Sequence, residues 1–120
     1  MAAMGRLTSL EILDLEGCGL GNQYWELGFD FSLPSLIDLD LSHNEIADAG
    51  VANLLATSLP RQLKRLVLGG NPIGDRGAIE IAERWPKQNQ LEHLNMRFTN
   101  IGSLGQQALL ARFGGKVHLF

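Results

Sequence analysis

The chain has 120 residues, 45% of them apolar, and a formal net charge of −3. That length suits one domain, and the acidic balance excludes the basic footprint of a nucleic-acid binder. No apolar run reaches the ~18 residues of a membrane span, the N-terminus lacks a signal-peptide core, and a single cysteine, Cys18, excludes an internal disulfide framework.

Along the chain, Met1 to Met4 and Gly5 read as the tail of a helix from a preceding repeat, with no polar cap. A strand follows at about Ile12 to Glu16, where Leu13 and Leu15 alternate with Ile12, Asp14 and Glu16. The segment from Gly21 to Leu33 predicts a short helix over Gln23 to Leu27, with Asn22 as its N-cap and Gly28 past its end. Tyr24, Trp25, Phe29 and Phe31 cluster there, either filling the convex side or forming an exposed partner patch.

The second strand is predicted around Asp38 to Ser42, and its helix runs from Ala47 or Asp48 to about Ser58. Val51, Leu54, Leu55 and Leu59 share one helical face, and Pro60 stops the helix. The third strand lies around Arg65 to Gly69, with a helix from about Asp75 to Trp85 that buries Ala78, Ile81, Ala82 and Trp85. The fourth strand covers His93 to Arg97, with a helix from about Ser103 to Phe113 that turns Ala108, Leu109 and Phe113 inward. A last strand is expected in Lys116 to Phe120.

These elements are copies of one unit. The template L-x-x-L-x-L-x-x-N-x-I starts at Leu10, Leu36, Leu63 and Leu91, spaced by 26, 27 and 28 residues. The asparagine position holds Cys18, Asn44, Asn71 and Thr99. Six residues further on stand Gly50, Gly77 and Gly105, with Tyr24 as the exception. A glycine so early in a helix costs about 1 kcal/mol against alanine, acceptable where the helix closely approaches a neighbour. The repeats divide the chain as one domain into about 7–32, 33–59, 60–87, 88–113 and a half-repeat 114–120.

One strand and one return helix per repeat predict an α/β fold with a parallel sheet of about five short strands and right-handed crossovers. Strands sit ~4.8 Å apart but helix axes ~8–10 Å apart, so the array curves, with the sheet concave and the helices convex. With these spacings and long return helices, the chain resembles the ribonuclease-inhibitor-like subfamily of leucine-rich repeat proteins over about residues 7–120. The phrase Ala108-Leu-Leu-Ala-Arg-Phe-Gly-Gly-Lys-Val117 is similar to the end of repeat arrays common in planctomycete bacteria. The resemblance implies a protein-binding scaffold without catalysis. It also implies that Cys18, Asn44, Asn71 and Thr99 form an inward structural ladder.

Other motifs are weaker. Gly17-Cys-Gly19-Leu-Gly21 fails the dinucleotide fingerprint because residue 22 is Asn, and Gly69 to Gly74 lacks the phosphate-loop lysine, having Asp75 there. Asp14 and Asp40, at matching positions of adjacent strands, could share a cation, but a solvated face tolerates them. His43, His93 and His118 have no metal-ligand spacing. The reading is therefore no catalytic residue, no cofactor and no metal.

Outward strand positions stack into three columns: Ile12, Asp38, Arg65, His93, Lys116; then Asp14, Asp40, Val67, Asn95, His118; then Glu16, Ser42, Gly69, Arg97, Phe120. Acids gather early and bases late. The expected partner face is Asp14, Glu16, Asp38, Asp40, Arg65, Val67, His93, Asn95 and Arg97, holding a protein of unknown identity. The competing expectation is a structural segment of a longer array whose activity lies elsewhere. A cytoplasmic setting, no nucleic acid, no membrane and self-association through an uncapped N-terminal end complete the reading.

Overall fold

In every copy of the template the alternating leucines form a three-residue strand rather than the five residues predicted. A computed structural model describes residues 9–22 and 33–120. The predicted helix over Gln23 to Leu27, the aromatic cluster and the Met1 to Met4 tail lie outside the described residues. The strands are β1 (Ile12–Asp14), β2 (Asp38–Asp40), β3 (Arg65–Val67), β4 (His93–Asn95) and β5 (Val117–His118). They pair in parallel, in sequence order, as one sheet. In three strands the side chain of the last residue bonds the turn that follows. Asp14 accepts the Glu16 N–H at 3.0 Å, Asp40 the Ser42 N–H at 2.9 Å and Asn95 the Arg97 N–H at 2.9 Å. Backbone bonds between repeats still continue past the strands, from Leu15 N to Asp40 O and from His43 N to Gly69 O.

The return helices are α1 (Asp48–Leu55), α2 (Leu59–Gln62), α3 (Asp75–Arg84) and α4 (Ser103–Phe113). Pro60 does not end α1, as the sequence suggested. It sits in the first turn of the separate α2, where its missing N–H costs nothing. Thr57 makes the break: its Oγ1 donates to Leu54 O at 2.7 Å and accepts the Leu59 N–H at 3.2 Å.

Between sheet and helices lies the core. Leu39, Leu66 and Leu94 form a fully buried column, flanked by Leu36, Leu41, Leu63, Leu68 and Met96, with Val51, Ile81 and Leu109 entering from the helices. Each such residue contributes about 1.5–3 kcal/mol of burial. At β1 the equivalent Leu10, Leu13, Leu15 and Leu20 are only partly buried. The solenoid, with its five-stranded parallel sheet and helical outer layer, is the architecture the repeat spacing implies.

Candidate interaction face

Pairing in register builds the outward columns. Ile12, Asp38, Arg65 and His93 lie side by side; so do Asp14, Asp40, Val67, Asn95 and His118. The sheet face thus carries Asp14, Glu16, Asp38 and Asp40 toward β1 and β2, and Arg65, His93, Arg97 and His118 toward β3 to β5. The two halves meet where Arg65 Nη1 donates to Asp38 Oδ1 at 3.0 Å. Both side chains remain partly exposed, so this pair contributes about 0–1 kcal/mol.

Several expected face residues are less free than their alternation suggests. Val67 is only 6% exposed. Its short side chain is flanked by Asp40 and Asn95 at matched positions, so it is a packing residue rather than a contact offered to a partner. Asp40 is half-buried and also accepts from the Ser42 hydroxyl at 2.6 Å. Asp38 is likewise half-buried and engaged with Arg65. Asp14, Glu16, His93 and Arg97 are exposed, and Asn95 is half-buried.

Carboxylate oxygens of Asp14, Glu16 and Asp40 come within 4.8 Å of one another. Such a set can attract a cation, but exposed acids gather this way without one. Asp14 and Asp40 already accept hydrogen bonds from their own turns.

The residues expected to form the ladder divide in two. Asn71 Oδ1 accepts the N–H groups of Asn44 (2.9 Å) and Ile46 (3.0 Å), and its amide donates to Leu41 O (3.0 Å) and Leu68 O (2.9 Å). Asn44 repeats the arrangement one repeat earlier. It accepts the Leu20 N–H at 3.2 Å and donates to Leu15 O at 2.8 Å. Both are buried polar groups whose bonding capacity is used. Cys18 and Thr99 depart from this. Cys18 is exposed, with its Sγ 3.8 Å from Glu16 O. Thr99 reaches only Met96 O within its own turn, at 2.9 Å. A thiol is a weak partner, and a lone hydroxyl donor cannot do the work of an amide with two N–H groups.

A second ladder was missed. Asn22 Oδ1 accepts the N–H groups of Ala47 and Gly50, both at 2.9 Å. Asp48 Oδ1 takes those of Gly74 (2.9 Å) and Gly77 (3.1 Å). Asp75 Oδ1 takes those of Gly102 (2.7 Å) and Gly105 (2.9 Å). The N-termini of α1, α3 and α4 are therefore capped by the preceding repeat, and these helices lack a side-chain bond from their own N-cap. The glycine register follows. A Cβ at Gly77 would lie 2.5 Å from Asp48 Oδ1 and 2.8 Å from Ile73 Cγ2; one at Gly105 would lie 2.6 Å from Asp75 Oδ1. The signal was present in the sequence: Asn22, Asp48 and Asp75 each stand four residues past the asparagine position. The expected capping by Asn22 of its own segment lies outside the described residues.

A leucine-rich repeat family profile matches residues 6–23, 32–55, 61–82 and 88–110. Over 82 residues the chain is 41% identical to the protein NLRC5 of the mouse, Mus musculus. That match takes in 68% of this chain but only 4% of the relative's length.

Proposed function

Since the chain belongs to the leucine-rich repeat family, we propose that it is a non-catalytic scaffold holding a protein partner on the concave face of its sheet. The observation that carries this reading is the uneven charge of the face, acidic at β1 and β2 and basic from β3 to β5. Such a face orients an approaching partner of reversed polarity and speeds encounter more than it deepens affinity. The contact residues proposed are Asp14, Glu16, Asp38, Asp40, Arg65, His93, Asn95 and Arg97. We place the chain in the ribonuclease-inhibitor-like subfamily on its 26- to 28-residue spacing and helical returns, and keep residues 1–120 as one domain in a cytoplasmic setting. The likeness of its tail to planctomycete arrays supports a bacterial origin. Among the described residues no helix is long and apolar enough to cross a membrane.

The test compares two double variants of the chain in affinity capture from lysate. Glu16→Lys with Arg97→Glu alters the concave face; Arg76→Glu with Glu83→Lys alters the helical side. Captured proteins should be lost by the first variant and kept by the second. A partner kept by both would place binding elsewhere.

A second reading, a structural segment of a longer array, is favoured by the half-buried leucines of β1. It carries a prediction of self-association through that end, because a strand edge that is unpaired among the described residues, beside apolar surface, invites another chain. Sedimentation over a concentration series checks it. A monomer throughout would remove this reading.

A further inference from the structure

Two cavities meet at Arg97, one on the basic half of the concave face and one beside the turn that follows β4. The first, of about 360 Å³, is lined by Arg65, His93, Asn95, Arg97 and His118 over the buried Leu66. The second, of about 370 Å³, is lined by Arg97, Phe98, Ile101, Gln106, Leu119 and Phe120.

Their chemistry differs. In the first, the His93 and His118 rings stack with centroids 5.9 Å apart and planes 21° apart. Even a neutral imidazole keeps one N–H donor, so the stack holds two donors beside the guanidinium groups. Arg65 shares its charge with Asp38. Among the described residues, the Arg97 guanidinium has no anionic partner. The second cavity is mostly apolar. In its lining, Phe98 is 84% exposed and Phe120 is 85% exposed. Phe98 adopts φ 59, as its counterparts Gly17, His43 and Gly70 adopt φ 66, 55 and 68, so the left-handed turn belongs to the repeat.

We propose that the β3 to β5 end of the concave face binds an acidic–apolar peptide segment of a protein partner. A carboxylate enters between Arg97 and the histidine pair, and the neighbouring apolar side chain enters the second cavity against Phe120. Arginine meets a carboxylate through a planar fork of two N–H groups, which fixes the direction of the segment as well as its charge. The segment is short. Asp38 and Asp40 lie in the same columns and repel any anion that extends toward β2. That repulsion also disfavours a long polyphosphate strand and separates a peptide from RNA.

This inference rests on the concave-scaffold reading, and the experiment separates the two. Fluorescence anisotropy would follow a labelled peptide of about ten residues, alternating glutamate and leucine, on the full chain. Binding should be saturable, weaken at least ~tenfold in Arg97→Glu, and fall by less in Arg97→Lys, which keeps the charge but loses the fork. Replacing the leucines by serine should weaken it several-fold. Circular dichroism confirms that each variant is folded. Equal binding by wild type and Arg97→Glu would overturn the inference, as would tighter binding of an oligouridylate than of the peptide. If a lysine–leucine peptide binds instead, and Asp14→Lys with Glu16→Lys abolishes that binding, the inference falls while the scaffold reading stands. If neither peptide binds, the inference falls, and the capture comparison alone decides the scaffold.

Discussion

Replacing Asn71 by alanine is the sharpest perturbation the fold offers. The side chain is buried, and its Oδ1 serves two backbone N–H groups of the preceding repeat, those of Asn44 and Ile46. Alanine leaves both donors without that acceptor, away from water. At about 1–3 kcal/mol for each orphaned donor, the loss is roughly 2–6 kcal/mol. A domain of this size has about 5–15 kcal/mol in total, so the variant stands close to unfolding at ambient temperature. The carbonyls of Leu41 and Leu68 also lose a donor, but an under-satisfied carbonyl is the cheaper defect. Among the described residues Asn44→Ala orphans one N–H, that of the half-buried Leu20, so the loss falls to about 1–3 kcal/mol. Thr99→Ala loses one local bond, about 0.5–1 kcal/mol, and Cys18→Ala should stay within ~0.5 kcal/mol of the wild type. Urea denaturation followed by far-ultraviolet circular dichroism reads the series, with an unchanged slope required for comparison. The ordering is the test. A flat series, or a larger loss for Thr99 than for Asn71, would mean that the buried amide bonds do not set the stability of the stack.

Three further outcomes are expected. Gly77→Ala should cost about 1–3 kcal/mol, because its Cβ would meet Asp48 Oδ1 and Ile73 Cγ2; adding Asp48→Gly should recover part of the clash but none of the lost cap, which thermal melts of both variants would show. Phe98→Gly should raise stability by up to about 1 kcal/mol, since an exposed ring is exchanged for a residue at ease at φ 59; a lower melting temperature would show that the ring packs in a way its exposure hides. Asp38→Lys with Asp40→Lys should leave the chain folded but destabilised by about 1–2 kcal/mol, through loss of the Arg65 pair and the Ser42 bonds, as denaturant titration would measure; no change would mean that those bonds carry nothing.

Most of the architecture was readable because it depends on spacing. The leucine template predicts which residues stack, and the pairing of Leu13, Leu39 and Leu66 follows it. Less readable were features set by what lies across a repeat boundary. Asp48 resembles any acid in a first helical turn. Only the solenoid brings it to the N–H groups of Gly74 and Gly77, more than twenty-five residues away. Val67 obeys the outward alternation yet is buried, because alternation gives direction and not the size of the flanking residues. The strand ends were overestimated for a related reason. Aspartate at the third strand position reads as a surface residue, but its carboxylate bonds the turn two residues on. Of the face itself, the charge segregation was visible in the columns. The two cavities around Arg97 were not, because one needs the stacked rings of His93 and His118 and the other needs Leu119 and Phe120 brought beside Ile101.

The acid-to-glycine contact between repeats gives the array a polarity that its sheet does not have. The acceptor always belongs to the earlier unit and the bare Cα to the later one, like a plug and its socket. A unit can therefore be transplanted into this array only if it brings a short acceptor four residues past its asparagine position and a glycine six past it. A unit with the acceptor alone can still seat the repeat after it, as Asn22 does. A unit with the glycine alone can close a series but not extend it. Two positions in each repeat thus determine which duplications and exchanges this chain can accept, whatever the concave face comes to hold.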